Sequence, residues 1–309
     1  MNDRVVVRAP GKVNLALAVG PLGADGFHSL ATVFLAVGLY EYVEASPATG
    51  IQLSLDSGSS IDVSTLEIDE RNIAVKAVKL LAEATGHAPD VALRIRKHVP
   101  IAGGMGGGSA DAAATLVACN ELWQTHLTRA DLAALGARLG SDVPFALSGG
   151  AAIGTGRGDE LAPALVGGGF EWVLRFNDVG ISTPGAYRAL DEHREQFADQ
   201  LGPVIEPTID PELLQALRAG DPVALADQLD NDLQAPALRM RPELVDALTA
   251  GEAAGALAGV VSGSGPTLAF LASDSQHAAT IAERMRADGH HVVAVNSPAD
   301  GAQLCAIEQ

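Results

Sequence analysis

The sequence predicts a soluble α+β protein with two domains. Its 309 residues are enough for about two domains of roughly 100 to 200 residues each. Short β-branched runs open the chain, and the second half alternates strands with helices. Apolar residues make up 48% and charged residues only 19%, which supports a packed core and excludes a disordered chain. We place the domain boundary near residue 163, which gives domains over residues 1–163 and 164–309.

The first domain begins as a sheet and continues with helices. Strands are expected where β-branched runs stand between Gly, Pro, Asp and Ser, at residues 5–8, 13–19, 32–39, 40–44, 51–55 and 91–96. Helices are expected at residues 72–85 and 110–123. Thr128 followed by Asp131 predicts the capped start of a third helix, which Gly140 ends.

The second domain is predicted to interleave strands and helices. Strands are expected at residues 172–176, 257–262, 267–271 and 291–295, with several helices after the first strand and another at residues 275–288. Asp210-Pro211 and Asp221-Pro222 each join an N-cap residue to a proline at the first helical position. This order is typical of a split β-α-β arrangement, with helices on one side of a mixed sheet.

Charge and cysteine content narrow the possible partners and compartment. The formal net charge of −18 would repel a nucleic acid backbone. Cys119 and Cys305 are too few for a disulfide framework, which favours a reducing cytoplasm. The first ten residues lack the apolar run of a secretory signal. The uncharged stretch at residues 253–273 is broken by Ser-Gly-Ser-Gly-Pro-Thr, so we expect two buried strands there and no membrane span.

A glycine-rich segment, residues 100–111, stands between a predicted strand and a helix start. Five of the six residues 103–108 are glycine, which allows positive φ and lets backbone N–H groups close around an anion. We therefore interpret it as a phosphate-binding loop and not as an ordinary turn. No lysine follows Gly108, which argues against a Walker loop, and the several preceding strands make a Rossmann dehydrogenase a weak rival. A second glycine cluster at residues 154–158 is more typical of a turn.

Three motifs in order resemble those of the GHMP kinases. Residues 100–110 match Pro-X-X-X-Gly-Leu-Gly-Gly-Gly-Ser-Ser, with Met105 in place of leucine. Pro-Gly-Lys-Val-Asn-Leu stands at residues 10–15, and Val-Ser-Gly-Ser-Gly-Pro-Thr stands at residues 261–267. The resemblance implies a two-domain kinase that uses ATP and Mg²⁺. It also implies an N-terminal domain that resembles part of a ribosomal protein and a ferredoxin-like C-terminal domain.

Within that family, the chain is most similar to members that phosphorylate a cytidine diphosphate sugar alcohol in non-mevalonate isoprenoid synthesis. The similarity rests on residues 10–15, on Asp-Gly-Phe-His at residues 25–28, and on Leu-Gly-Ser-Asp-Val-Pro-Phe at residues 139–145. The family usually has Gly-Tyr-His where this chain has Gly26-Phe27-His28, so the ring is kept and the hydroxyl is lost. Two alternatives stay open: a related kinase with a mevalonate-type or sugar acceptor, and an inactive member that serves as a binding module. A monomer or a weak homodimer is expected.

The resemblance assigns the phosphate loop and its surroundings to ATP. The expected ATP-binding residues are Pro100, Gly103, Gly104, Gly106, Gly107, Gly108 and Ser109, together with Asn72 and Lys97 near the adenosine end. Ser109 is also a candidate metal ligand. Asp111 is a further candidate for the metal, although the helix dipole alone favours an acid in a first turn. The alternative for Lys97 is a solvated charge at a strand end.

The resemblance also assigns the chemistry, to Asp142 and Lys12. Asp142 is the expected base for the acceptor hydroxyl, and Lys12 is expected to neutralise developing negative charge. Asn14 would face the same way as Lys12 on a regular strand and would bind the acceptor or Asp142. The alternatives are an N-cap role for Asp142 and a surface strand end for Lys12.

The acceptor is expected to bind through aromatic and polar residues from both domains. A cytosine ring would lie between Phe27 and Tyr187, with His28 at the base edge and Thr183 near the diphosphate or nucleoside. The alternatives are that Phe27 anchors a loop and that Tyr187, three residues before Leu190, belongs to the core.

Overall fold

The computed structural model describes residues 4–306 and contains strands and helices in both halves. The strands are β1 (Val5–Leu22), β2 (His28–Ser46), β3 (Ile51–Leu55), β4 (Val91–Arg96), β5 (Ala151–Thr155), β6 (Glu160–Pro163), β7 (Phe170–Arg175), β8 (Asp230–Asn231), β9 (Ala258–Val261), β10 (Leu268–Ala272), β11 (Val292–Ser297) and β12 (Gln303–Leu304). The helices are α1 (Ile73–Thr85), α2 (Gly107–Trp123), α3 (Arg129–Ala137), α4 (Val143–Ser148), α5 (Thr183–Gln196), α6 (Ala198–Leu201), α7 (Pro211–Ala219), α8 (Pro222–Ala226), α9 (Gln234–Met240), α10 (Glu243–Ala253) and α11 (Ser275–Ala287). The predicted α+β class is confirmed.

The first sheet is built around two long antiparallel strands. Its central path runs β12-β1-β2-β4-β3, with β5 and β6 beside β2 and with β8 beside β1. The sequence predicted two strands within β1, on either side of Pro10-Gly11, and two within β2, at residues 32–39 and 40–44. In the structure the register shifts between Pro10 and Gly11, so a β-bulge carries the strand past this point. The bulge lies next to Lys12.

Helices α1 and α2 cover this sheet and create the core beneath the glycine loop. Helix α2 is rich in alanine and buries most of its surface, so its small side chains let it lie close to the strands. It begins at Gly107, three residues before the predicted start. Cys119 is fully buried in this core, as expected for a packing residue.

The second sheet has the order β11-β7-β10-β9, which fits the ferredoxin-like domain that the family resemblance implies. All of its strand pairs are antiparallel, so the expectation of a mixed sheet was wrong. One face packs on α5, α9, α10 and α11. The other face packs through Trp172 and Leu174 against Val13 and Leu35 of the first sheet, so the two halves share a core.

The second half of the chain also contributes strands to the first sheet. Strand β8 pairs in parallel with β1, and β12 pairs antiparallel with the same strand. Strand β6 ends at Pro163, where the sequence places the domain boundary, and that boundary remains a prediction. Among residues 4–306, no helix is long and apolar enough to cross a membrane.

Candidate active site

A cleft of about 1170 Å³ lies between the two halves of the molecule. The first half contributes the glycine loop, β1, the β1–β2 turn and the start of α4, and the second half contributes the start of α5 and the β9–β10 turn. Every residue that the sequence assigned to ATP, to the acceptor or to the chemistry borders this cleft. Their roles remain predictions, but the fold brings them to one place.

The glycine loop reaches the N-terminus of α2 in a conformation that requires glycine. Gly104 has φ +77 and Gly106, the N-cap of α2, has φ +72. A Cβ on Gly104 would also lie only 2.0 Å from the carbonyl oxygen of Ser262. The backbone N–H groups of the first turn of α2 therefore point into the cleft from a tightly held loop, as an anion site requires.

The turn between β9 and β10 supports this loop from the second half. The Ser262 hydroxyl donates to the Gly104 carbonyl at 3.1 Å, and the Thr267 N–H donates to the Gly103 carbonyl at 3.3 Å. Asn231 holds the turn in place, because its side-chain amide donates to the carbonyls of Val261 and Gly263 at 2.7 Å each. The third sequence motif therefore has a clear structural role, which is to hold the loop against the second half.

Lys12 is buried at the centre of the cleft wall. Its side chain is only 6% exposed, so the alternative of a surface strand end was wrong. Its Nζ donates to Asn14 Oδ1 at 2.5 Å and to the Gly104 carbonyl at 2.6 Å. Burial lowers the pKa of Lys12, and the opposing influence of the Asp142 carboxylate is smaller.

Asn14 orients Lys12 and contacts Thr32. Its Nδ2 donates to the Thr32 hydroxyl at 2.8 Å, and that hydroxyl donates to the carbonyl of Ala16 at 2.7 Å. Within residues 4–306, the structure contains no hydrogen bond from Asn14 to Asp142: Oδ1 accepts from Lys12, and Nδ2 donates to Thr32. Asn14 does lie on the same side of β1 as Lys12, as predicted.

Asp142 stands directly before α4 with its carboxylate beside Lys12. Within the described residues its side chain forms no capping hydrogen bond to α4, and its own backbone is already helical (φ −87, ψ −7). Asp142 therefore occupies the N-cap position of α4, as that alternative had it, but its carboxylate does not cap the helix. Ser141 donates its hydroxyl to Asp142 Oδ1 at 3.1 Å, and a Cβ on Gly106 would lie 3.7 Å from Oδ2. The carboxylate thus lies across from the phosphate loop.

Beneath the loop, Lys97 joins two buried carboxyl groups. Lys97 is 1% exposed, so the alternative of a solvated strand-end charge was wrong. Its Nζ lies 2.7 Å from Glu41 Oε1 and 2.6 Å from Asp111 Oδ2. Burial raises the pKa of Glu41 to about 8 and also raises the pKa of Asp111, whereas Lys97 opposes both shifts. No sequence motif pointed to Glu41.

Asn72 borders the cleft at the start of α1. Its Oδ1 accepts from the N–H of Ala74 at 2.9 Å, and its Nδ2 donates to the carbonyl of Glu67 at 2.6 Å. Asn72 is thus the N-cap of α1 as well as a residue of the cleft wall.

At the other end of the cleft, Phe27 is carried by a tight turn between β1 and β2. The N–H of Gly23 donates to the carbonyl of Phe27 at 2.7 Å, and Asp25 accepts from the N–H of Phe27 at 3.1 Å. The Phe27 ring is 52% exposed, and the guanidinium of Arg157 lies 3.9 Å from its centre. Arg157 comes from the β5–β6 turn, and sequence analysis missed it.

His28 and Tyr187 connect the two halves beside Phe27. Their rings stack with centroids 5.3 Å apart, and His28 Nε2 lies 2.9 Å from Asp191 Oδ1 on α5. Tyr187 also packs against the core of the second half, so the core alternative holds alongside the cleft position. One face of Tyr187 is therefore covered by His28. Asp191 is a second residue that the sequence did not single out, because one acid on a polar helix face carries no signal.

Thr183 begins α5 and faces the β9–β10 turn. Its hydroxyl lies 3.0 Å from that of Ser264. This contact places the start of α5 next to Gly263, which lies close to Lys12. The acceptor end and the phosphate end of the cleft are thus linked through the second half.

Comparison with known proteins identifies the class. Residues 72–150 match the GHMP kinases N terminal domain, and residues 213–291 match the family described as GHMP kinases C terminal. Together with relatives at 50% identity or more over nearly the whole chain, these matches show that the chain belongs to the GHMP kinase family.

The chain is similar in particular to 4-diphosphocytidyl-2-C-methyl-D-erythritol kinases. It is 55% identical to the protein of that name from Leifsonia xyli subsp. xyli, over 98% of this chain and 99% of the relative. The Streptomyces avermitilis protein of the same name is 50% identical over 97% of this chain and 99% of its own length.

A crystal structure of 4-(cytidine 5'-diphospho)-2C-methyl-D-erythritol kinase has the same fold. It is 31% identical with a TM-score of 0.75, and the match covers 94% of this chain and 98% of that one. A homoserine kinase from Cytophaga hutchinsonii, at 19% identity and a TM-score of 0.73, shares the fold alone.

Proposed function

We propose that this protein transfers the γ-phosphoryl group of ATP to the 2-hydroxyl of 4-diphosphocytidyl-2-C-methyl-D-erythritol, in the non-mevalonate route to isoprenoid precursors. The observation that carries the proposal is the cleft itself, in which the phosphate loop, the pair of Lys12 and Asp142, and an aromatic end lie in one cavity. The relatives at 50 to 55% identity carry this enzyme's name. We place the enzyme in the cytoplasm as a monomer or weak homodimer.

ATP would bind with its phosphates at the start of α2. The free N–H groups of the first helical turn and the helix dipole favour anions there. The glycines at 103, 104, 106, 107 and 108 let the phosphates approach the backbone closely, and Pro100 begins the loop. Asn72 forms part of the cleft wall at the start of α1 and would contact the adenosine there. Lys97 would not contact ATP itself but would hold Asp111 in position, because its ammonium already binds the carboxyl groups of Glu41 and Asp111.

Phosphoryl transfer would take place between the loop and Asp142. The reaction needs an acceptor hydroxyl in line with the γ-phosphate, a carboxylate to orient it and take its proton, and positive charge nearby. Asp142 can accept that proton because its carboxylate is not used for capping. Lys12 would stabilise the developing charge, and Asn14 and the Gly104 carbonyl hold its Nζ in place.

The residues at the base of the loop fit a magnesium ion bound with ATP. Asp111 Oδ1 is buried and has no hydrogen-bond partner among residues 4–306, and Asp111 borders the cleft with Ser109. Carboxylate and hydroxyl oxygens suit Mg²⁺, which otherwise binds phosphates and water. Ser109 and Asp111 would hold the ion, which supplies positive charge to the β- and γ-phosphates.

The cytidine of the acceptor would bind at the aromatic end. Phe27 offers an exposed ring for stacking, and Tyr187 borders the same cleft from the second half. Because Nε2 of His28 is bound to Asp191, Nδ1 or the backbone would contact the base edge. Thr183 lies where it can reach the diphosphate or the nucleoside.

Product analysis tests this proposal. The purified protein is incubated with ATP, Mg²⁺ and the cytidine acceptor, and the products are followed by ³¹P NMR. We expect ADP and one new phosphomonoester resonance, with the diphosphate of the acceptor intact. ADP formation without a phosphorylated acceptor, or phosphorylation of mevalonate or a simple sugar instead, would contradict the proposal.

A further inference from the structure

Arg157 lies at the acceptor end of the cleft and has no role in the function as proposed so far. It stands in the turn between β5 and β6 and borders both the main cleft and a smaller neighbouring cavity of about 440 Å³. Its guanidinium covers one face of the Phe27 ring, with 3.9 Å between the guanidinium carbon and the ring centre. Arginine is well suited to this arrangement because its planar group stacks on aromatic faces.

The same guanidinium is tied to the turn that carries Phe27. Arg157 Nη2 lies 2.8 Å from Asp25 Oδ2, while Oδ1 of that carboxylate accepts from the N–H of Phe27 at 3.1 Å. The hydrogen bond from the Phe27 backbone and the contact with Arg157 lower the pKa of Asp25, so this carboxylate stays ionised. The N–H of Leu30 donates to the carbonyl of Gly156 at 2.8 Å and brings the two turns together.

We propose that Arg157 is a positioning residue for acceptor specificity, which holds Phe27 as a stacking platform so that the cytosine base lies on the opposite face of the ring. Phe27 is an exposed apolar side chain on a short turn, and without a partner its ring would sample several rotamers. The guanidinium fixes the ring from one side and leaves the other side for the base. This inference rests on the proposed function, because it assumes a cytidine acceptor.

The contacts of Arg157 argue against a direct role in binding the diphosphate. Its charge is balanced by Asp25 at 2.8 Å, and its guanidinium carbon lies over the Phe27 ring. A guanidinium that bound phosphate in the usual way would present its edge, with two N–H groups, to the phosphate oxygens. Arg157 is therefore expected to act on the acceptor through Phe27.

Kinetic analysis of Arg157→Ala tests the inference. We expect the KM for the cytidine acceptor to rise about three- to tenfold, with kcat and the KM for ATP unchanged, since the loss of an exposed cation–π contact and of its ion pair is modest. Arg157→Lys keeps the charge but not the planar group, and it should recover only part of the loss. Arg4→Ala is the matched control, because Arg4 is also 51% exposed and ion-paired, with Glu44, but is not part of the cleft lining.

A double-mutant cycle with Phe27→Ala separates the possible outcomes. If Arg157 acts through Phe27, Arg157→Ala should have no further effect in the Phe27→Ala background. If the increases in acceptor KM of the two single variants multiply in the double variant, Arg157 contacts the acceptor itself, and the inference is overturned. An unchanged acceptor KM, or equal losses for ATP and acceptor, would also overturn it.

The inference and the proposed function fail in different ways. A wild-type enzyme that does not phosphorylate the cytidine acceptor overturns the proposed function, and the inference with it. A wild-type enzyme that is active, with an Arg157→Ala variant that has the same acceptor KM, overturns the inference alone.

Discussion

At the scale of single residues, the chemistry depends on whether Asp142 acts as a base. Asp142→Asn keeps the size and the polar contacts of the side chain but cannot take a proton. We expect kcat to fall by about two to four orders of magnitude, as is typical when a general base is removed, with both KM values changed little. Steady-state kinetics and product detection measure this.

The neighbouring residue offers a control for that substitution. Ser141→Ala removes the hydroxyl that donates to Asp142 Oδ1 and should reduce kcat only slightly. If Asp142→Asn kept near-wild-type turnover while Ser141→Ala behaved as expected, Asp142 would not be the base.

The charge of Lys12 should determine the alkaline side of the pH profile. Its burial lowers the pKa from the ordinary value of 10.5, so the protonated form is lost at a lower pH than for an exposed lysine. We expect kcat/KM, which reports on the free enzyme, to fall on the alkaline side with a midpoint below 10.5. In Lys12→Arg, whatever activity remains should persist to higher pH. If kcat/KM fell with the same alkaline midpoint in the wild type and in Lys12→Arg, this role of Lys12 would be contradicted.

These two residues could be located from the sequence, but their surroundings could not. Lys12 and Asp142 were found because they belong to motifs. The burial of Lys12 and its bond to Gly104 depend on a loop about ninety positions away, and such long-range contacts leave no local pattern. The same reason explains why Arg157 and Asp191 were missed.

At the scale of single elements, the glycine loop should tolerate no side chain at Gly106. Gly106 has φ +72, and a Cβ would lie 3.5 Å from the Lys12 side chain at the mouth of the loop. We expect Gly106→Val to raise the KM for ATP at least tenfold, or about 1.4 kcal/mol, because the side chain would occupy the space of the phosphates. Kinetics with varied ATP measure the change.

Gly50 supplies a matched control for the backbone strain. It has φ +68, and among the described residues nothing lies within 4 Å of a Cβ placed there. Gly50→Val should lower the free energy of unfolding about as much as Gly106→Val does, by about 1 to 2 kcal/mol, without any change in the KM for ATP. Equal KM values for ATP in the two variants would exclude Gly106 from the phosphate site.

The buried group of Glu41, Lys97 and Asp111 should make stability depend on pH. Glu41 holds its proton to about pH 8 when folded, against an ordinary pKa of 4.5. Between these two pKa values Glu41 binds a proton more tightly in the folded state than in the unfolded state. Glu41 therefore makes the free energy of unfolding decrease as pH rises. Glu41→Gln should therefore show a smaller decline of that free energy between about pH 5 and about pH 8.

Urea denaturation at several pH values measures this, with the exposed Glu83→Gln as control. The control should follow the wild type. If the free energy of unfolding of Glu41→Gln declined with pH as steeply as that of the wild type, Glu41 would be ionised throughout this pH range.

The elements themselves were predicted well where the pattern is local. Strands β3 and β4 have the predicted bounds, and α1 begins directly after its cap at Asn72. Helix α4 and strands β5 and β6 were missed, because α4 has only six residues and the small residues of β5 read as a loop. The start of α2 was placed too late, since glycines rarely begin a helix outside an anion-binding loop.

At the scale of the whole molecule, the site depends on how the two halves pack. The family resemblance implied a ferredoxin-like second domain, but nothing in the sequence predicted the return of β8 and β12 to the first sheet. Each of these strands is two residues long, too short to produce a periodic pattern. Their pairing with β1 and the shared core around Trp172 bring the β9–β10 turn against the glycine loop.

The cleft between the halves leads to the central claim, which is that the enzyme selects a cytidylylated acceptor. The most direct test compares kcat/KM for 4-diphosphocytidyl-2-C-methyl-D-erythritol with that for 2-C-methyl-D-erythritol 4-phosphate, which lacks the cytidylyl group. Because stacking contributes about 1 to 3 kcal/mol per base, we predict a preference of at least one to two orders of magnitude for the cytidylylated acceptor. Equal kcat/KM values for the two acceptors, or a preference for the one without cytidine, would contradict the account.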